Sequence, residues 1–364
     1  PRRAIKPKDA CQRVVLAAEL DPQRHHHPGH VGDDARDRAR LATGGCEPQP
    51  VTGEPQLGPS VSLGRHLVLT GSCSWADKTL VEQADWYPRR TMSAEDRLRF
   101  YASRFPLTEI DSTYYAPPSE HQARLWAERT PDGFRFDVKA YSLLTGHPTR
   151  PRSLWKDLRE QLRPEVAEKR NLYPNHLDPE ALDEAWKRFE SALRPLHDAG
   201  RLGSVLFQYP PWFHPRRDTR AELESLKERL PDYKLSVEFR SPMWLAEERD
   251  RERTLRVLEE HELILVGLDA PAASKLPRLM AVTNPELVVV RFHGRSDSTW
   301  ADTSRSAAER FRYLYSREEL EDLTPPIAEL ARDARETHLL MNNCYRDYAV
   351  RNAGELRDLL ARYR

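Results

Sequence analysis

The sequence predicts an α/β fold: a single TIM-type (β/α)8 barrel preceded by a disordered N-terminal leader. Three observations carry that prediction. Eight short apolar runs recur between Leu67 and Met341. Each gives way to polar residues, as barrel strands do where they open onto a site. Stretches with helical period separate them, the alternation expected of parallel strands joined by crossover helices.

In chain order the runs are Leu67 to Thr70, Leu107 to Ile110, Phe134 to Val138, Val205 to Phe207, Leu235 to Val237, Leu263 to Leu268, Leu287 to Val290 and His338 to Met341. The residues after them are chemically capable. They are Ser72 and Trp75, Asp111 with Thr113, Lys139, Gln208, Glu238 with Arg240, Asp269, Arg291 with His293, and Asn342 with Asn343. Barrel closure brings all eight strand ends to one mouth. Helical spacing shows at Ala94, Leu98, Tyr101 and Phe105, with Ser93 as a predicted N-cap and Asp96 three residues on, and again at Leu182, Ala185, Phe189 and Leu193. Tyr209-Pro210-Pro211 and Ser241-Pro242 turn the chain out of its strands. The long connection after the third strand carries an insert at about 143–180, expected to be a lid or specificity element over the mouth, with a surface excursion as the alternative.

Residues 1–64 contain none of the chain's Phe, Trp or Tyr, and hold seven of its fifteen glycines and eight prolines. Such a segment cannot build a packed core, so it is expected to be disordered, and the barrel is assigned to 65–364. With Pro1 as first residue, a fragment or mis-assigned upstream translation is an alternative origin for this leader. Net charge is zero, so no global basic field advertises nucleic acid, although a local arginine cluster would suffice for it. No apolar stretch is long enough to span a bilayer and no signal peptide is evident; a cytoplasmic protein without a membrane partner is expected. The four cysteines, at 11, 46, 73 and 344, show no metal-type spacing and are expected to be reduced thiols, with a Cys73–Cys344 redox pair as the rival.

Several strand-end segments together resemble the YecE-like family, domain of unknown function 72. They are Gly71-Ser72-Cys73-Ser74-Trp75, Trp86-Tyr87-Pro88, Glu109 to Tyr115, Phe134 to Ala140, Leu206 to Pro211, Val237 to Arg240, Val290 to Gly294 and Met341 to Cys344. The resemblance implies a TIM-type barrel and brings no established reaction. This chain departs from the family pattern at Asp111, where Asn is usual, and at Met341, where Phe is usual; the first change adds a negative charge at the mouth.

Residues two apart on a strand share a face, so Glu109 pairs with Asp111, Glu238 with Arg240, and Arg291 with His293 and Arg295. The expected mouth cluster is Glu109, Asp111, Lys139, Glu238, Arg240, Asp269, Arg291 and His293. Such crowding perturbs pKa values and prepares acids and bases, though self-satisfied ion pairs would look the same in a sequence. Glu238 is the first candidate for general acid or base, His293 its partner, and Lys139 a third catalytic candidate better suited to anchoring an anion. Expected to bind substrate are Trp75, Asp111, Thr113, Tyr114, Gln208, Arg240, Asp269, Arg291, Arg295, Asn342 and Asn343. Tyr115, Trp244 and Trp300 also lie just beyond strands, where rings stack on sugar or base.

The leading expectation is acid/base cleavage, by hydrolysis or elimination, of an anionic, phosphorylated sugar or nucleotide, with no cofactor. One alternative is a divalent-metal-dependent phosphodiesterase on nucleic acid, resembling endonuclease IV, with Glu109, Asp111, Glu238, Asp269 and His293 as metal ligands. The other is a non-catalytic module for single-stranded nucleic acid.

Overall fold

Residues 14–16, 55–300 and 307–363 are described in the computed structural model of the chain. Eight parallel strands form its centre: β1 (His66–Ser72), β2 (Leu107–Ile110), β3 (Arg135–Lys139), β4 (Leu202–Tyr209), β5 (Leu235–Phe239), β6 (Ile264–Asp269), β7 (Leu287–Phe292) and β8 (Glu336–Met341). Each pairs with the next, and β8 pairs with β1 over the full register from Glu336↔Leu67 to Met341↔Ser72, which closes the barrel. The predicted fold is therefore the observed one.

Alternation sorts the strand residues into two cores. Leu69, Leu107, Leu206, Ile264, Val266, Leu268, Leu287, Val289 and Leu340 fill the barrel. Val68, Ile110, Val138, Val205, Val237, Leu265, Val290 and Leu339 face outward into a larger core shared with the helices. Strands buried on both faces have no polar side, which is why they read as continuous apolar runs.

Outside lie α1 (Ala94–Ala102), α2 (Glu120–Glu128), α3 (Pro179–Asp198), α4 (Arg217–Arg229), α5 (Glu248–Glu260), α6 (Arg317–Ala331) and α7 (Tyr348–Arg362). The cap predicted for α1 forms as a capping box, Ser93 accepting from the Asp96 amide and Asp96 from the Ser93 amide. The alternation breaks once. Between β6 and β7 the chain forms a short strand, Leu279–Ala281, that packs on β6 and pairs antiparallel with Val14–Leu16. Pro271, Pro277 and Pro285 punctuate that connection and deny it a helix.

Residues 1–13 and 17–54 of the expected leader lie outside the described residues. Val61–Leu63, still within its expected bounds, pairs antiparallel with β1 and carries the sheet past the predicted boundary at 65. The insert after β3 buries Leu154, Leu158, Val166, Leu172 and Leu177 in the outer core. Its Asp157 takes a bidentate hydrogen bond from Arg188 of α3, at 2.6 and 2.7 Å, and that guanidinium lies over Trp155. The insert thus packs beside α3, and its first turns carry His147 to the mouth, against Tyr114 and Trp212. Among the described residues no helix is long and apolar enough to cross a membrane.

The opposite end of the barrel is plugged by charge. His338 on β8 meets both oxygens of Asp137 through Nδ1, at 2.9 and 3.0 Å, and Oε1 of Glu336 through Nε2 at 2.7 Å. The Ser204 amide donates to Asp137 and Arg135 to Glu336. A Cβ at Gly203 would stand 2.4 Å from Asp137 Oδ1 and 2.7 Å from His338 Cε1, so the plug requires glycine there.

Candidate functional site

Arg291 is the pillar of the mouth. Carried inward by β7 and fully buried, its Nη1 donates to Oε2 of Glu238 on β5, and its Nη2 to Oε1 of Glu109 on β2 at 2.7 Å. The same Nη2 lies 3.7 Å from the Cys73 thiol. One guanidinium therefore joins strand ends from three parts of the barrel, the bidentate geometry for which arginine is suited.

Arg240 folds back over Glu238, its Nε 2.5 Å from Oε1. Its Nη2 donates to Gln208 Oε1 at 3.2 Å and lies 3.3 Å from His293 Nε2. The other His293 nitrogen contacts the Asn342 amide at 2.7 Å, so both ring nitrogens are engaged. Trp300 covers this corner, 5.4 Å from the Arg240 guanidinium carbon and 6.0 Å from the His293 ring. Across the basin Lys139 contacts Asp111 at 2.8 Å and sits 4.7 Å from the centre of the Tyr114 ring.

Charge sets the proton inventory. Burial favours a neutral Glu238, but Arg240, Arg291 and His293 prevail and hold it well below the usual carboxylate range. Glu109 behaves oppositely: burial, assisted by Asp111 and Glu238, outweighs Arg291 and Lys139 and raises it to about 7. Burial would also raise Asp111, yet contact with Lys139 brings it below its ordinary value. His293 falls to about 3 through burial and then the charge of Arg240. His147, on the first turn of the insert, falls to about 4 through burial and the charges of Lys139 and Arg240. Both histidines are accordingly neutral at physiological pH.

Of the expected residues the fold gathers Glu109, Asp111, Lys139, Gln208, Glu238, Arg240, Arg291, His293, Asn342 and Tyr114. Others are corrected. Leu268 points into the barrel, so Asp269 beside it points out, where it takes a bidentate bond from Arg295 at 2.8 and 3.0 Å and another from the Tyr315 hydroxyl at 2.8 Å. Gly294, at φ +83°, turns the chain so that Arg295 leaves the face shared by Arg291 and His293. Arg295 instead bridges Asp269 to Glu319 of α6.

Asn343 also faces the helices, donating to the Tyr313 carbonyl and Asn352. Trp75 packs edge-on against Trp126 and Phe136 in the outer layer. Thr113 ties two strand ends, its hydroxyl 2.6 Å from the Lys139 carbonyl and 2.8 Å from that of Ile110. Trp244 is buried, its indole bonded to the Phe213 carbonyl. The donor set suggested for a metal is not assembled, because Asp269 faces away while Glu109 and Glu238 are bound to Arg291. Among the described residues no group of three or more His, Cys, Asp or Glu is placed to hold a metal ion.

Two mouth residues escape sequence reasoning. Trp212 follows the Pro210-Pro211 turn after β4, an aromatic just past a strand end and so readable in principle. His147 lies inside the insert and carries no pattern that marks it.

A family model described as protein of unknown function DUF72 matches residues 69–364. The UPF0759 protein YunF of Bacillus subtilis (strain 168) is 28% identical over 299 residues, 81% of this chain and 95% of that protein. Among solved structures, a DUF72 family protein of Thermotoga maritima MSB8 shares 30% identity at a TM-score of 0.61, over 81% of this chain and 99% of that one. Another DUF72 family protein, from Enterococcus faecalis V583, aligns at a TM-score of 0.64 and 23% identity over 80% of this chain and 95% of its own.

Proposed function

The chain belongs to the DUF72 family, and from that premise we propose that its barrel mouth binds a phosphorylated sugar or nucleotide and cleaves it by acid/base chemistry, as a hydrolase or lyase. The observation that supports this most is the field of the mouth. Lys139, Arg240 and Arg291 converge from three strands; the charges of Lys139 and Arg240 add to burial in lowering His147, as that of Arg240 does for His293. Burial comes first in keeping both imidazoles neutral, and the cationic charge that adds to it is of the sign that suits a bound anion.

Roles follow from access. Glu238 is enclosed by two arginines and stays ionised, so it positions Arg240 and Arg291 instead of exchanging protons. Arg240 and Lys139, at 13% and 11% side-chain exposure, take the anion, with Gln208 and Asn342 beside it. Asp111, at 35%, is the carboxylate that substrate can touch, and it serves with Lys139 in proton transfer. A bound anion draws Arg240 toward itself, which frees His293 Nε2 and raises its affinity for a proton, so His293 becomes a base only in the complex.

The test is a calorimetric titration with inorganic phosphate and ribose 5-phosphate. Lys139→Met and Arg240→Met should each weaken binding at least about tenfold, the effect of losing one charge-assisted bond of about 1.5–3 kcal/mol. A screen of phosphatase, esterase and lyase substrates should then find turnover that Asp111→Asn and His293→Gln lose. Absence of phosphate binding in the native chain, or unchanged affinity in both methionine variants, refutes the reading. A second reading, a binding module for single-stranded nucleic acid, is favoured by the exposure of Tyr115 and Trp212; there, affinity falls steeply with salt and His293→Gln changes nothing.

A further inference from the structure

Four rings line one side of the mouth. Tyr115 and Tyr114 meet edge to face at 5.0 Å, Tyr114 and His147 at 5.2 Å, and His147 and Trp212 at 6.0 Å. They come from three connections, those after β2, β3 and β4, so barrel closure and not local sequence assembles the wall. Tyr114 and His147 are tucked in, whereas Tyr115 and Trp212 keep 64% and 52% of their surface exposed.

An aromatic side chain contributes to folding by burying its large apolar area, so two rings left half in water at a strand-end rim give the folded chain little. They are not scattered, because each continues a row whose inner member Tyr114 lies against Lys139. Its ammonium ties the row to the anion site, contacting Asp111 on one side and the Tyr114 face on the other. Arg240 is close enough for its charge to act on His147.

We infer that Tyr115, Tyr114, His147 and Trp212 form a stacking subsite for the base of a nucleoside monophosphate whose phosphate lies on Arg240 and Lys139. This rests on the anion-binding reading above and narrows it from a phosphorylated sugar to a nucleotide. A neutral imidazole within the row suits a stack, because it adds a π face without a charge to desolvate. Stacking tolerates any base, so the subsite selects for the presence of a ring and discriminates little among bases.

The experiment compares adenosine 5′-monophosphate with ribose 5-phosphate, which differ by the base alone, in the native chain and in Tyr115→Ala and Trp212→Ala. Both positions are exposed, so the variants should fold. The nucleotide should bind about tenfold or more tightly than the sugar phosphate, since stacking supplies about 1–3 kcal/mol per base. Each alanine variant should lose much of that margin while its affinity for ribose 5-phosphate stays within about twofold, and Trp212→Ala should abolish part of the fluorescence quenching caused by the nucleotide. Equal affinities for the two ligands, or equal weakening of both by the alanine variants, overturn the stacking subsite and leave the anion site standing. Failure of both ligands to bind overturns the two together.

Discussion

His293 and His338 are both fully buried, both inside one barrel, and their pKa values are driven in opposite directions, to about 3 and about 9. Desolvation opposes charge on each; the neighbours differ. At the floor His338 lies between Asp137 and Glu336, which overcome the effect of burial and keep the ring protonated. At the mouth Arg240 adds to burial and keeps His293 neutral. The floor is a closed arrangement in which each charge has a buried partner within the protein. The mouth leaves cations at its rim and exposed aromatic rings beside them. Equal burial with unequal sign separates a self-satisfied floor from the mouth at which we propose a ligand binds, the division expected of the two faces of this fold.

The sharpest way to break that comparison is to remove one anion from each end. Glu238→Gln leaves Arg240 and Arg291 facing each other without the carboxylate between them. It should destabilise the chain by about 3–5 kcal/mol and weaken phosphate binding more than about tenfold. Asp137→Asn should cost on the order of 3 kcal/mol, because His338 keeps Glu336, and leave phosphate affinity within about twofold. Urea midpoints and calorimetry on both variants decide the matter. Equal loss of binding in the two would mean that the ends are not functionally distinct.

A smaller effect separates the two histidines by pH. The folded value of His338 is raised above 6.5, so its contribution is complete below pH 6.5 and disappears as pH climbs through about 9. The folded value of His293 is depressed, so its contribution is complete above pH 6.5 and disappears as pH falls toward about 3. In urea titrations at several pH values, His338→Gln should flatten the alkaline limb of the stability curve and His293→Gln the acid limb. The opposite assignment, or a single limb altered by both, would contradict the electrostatic account.

Much of this was legible before the fold was known, for reasons that differ by residue. Period-2 parity correctly placed Glu238 beside Arg240 and Arg291 beside His293, because those pairs lie on or just beyond regular strands. The same rule failed for Arg295, where Gly294 reverses the chain, and parity inside one strand could not say that Asp269 faces the helices when Glu238 faces the barrel. Thr113 and Asn343 are polar residues after strands, as binding residues are; only their partners, the Lys139 carbonyl and Asn352, reveal them as fasteners. His147 was invisible since an insert has no period. The general alternation of strand and helix gives way between β6 and β7 to a short strand, where Pro271, Pro277 and Pro285 interrupt the chain.

The finest distinction lies within the mouth, between two carboxylates on one guanidinium. Glu238 faces two arginines and stays ionised; Glu109 shares Arg291, feels Asp111 and Glu238 as like charges, and is raised to about 7. The stability attached to a raised carboxyl is complete below its unfolded value near 4.5 and diminishes as pH rises through about 7. A glutamine resembles the protonated acid in shape and charge, so Glu109→Gln should cost less than about 1 kcal/mol at pH 5 and gain on the native chain as pH rises to 8. Protonating Glu109 also removes a negative charge behind the proposed anion site. Phosphate affinity of the native chain should therefore increase as pH drops through 7 beyond what the ionisation of phosphate itself explains, and this excess should vanish in Glu109→Gln. A variant that loses more stability at pH 8 than at pH 5 would show that Glu109 is a fixed anion like Glu238, and that the mouth carries one more negative charge than its geometry indicates.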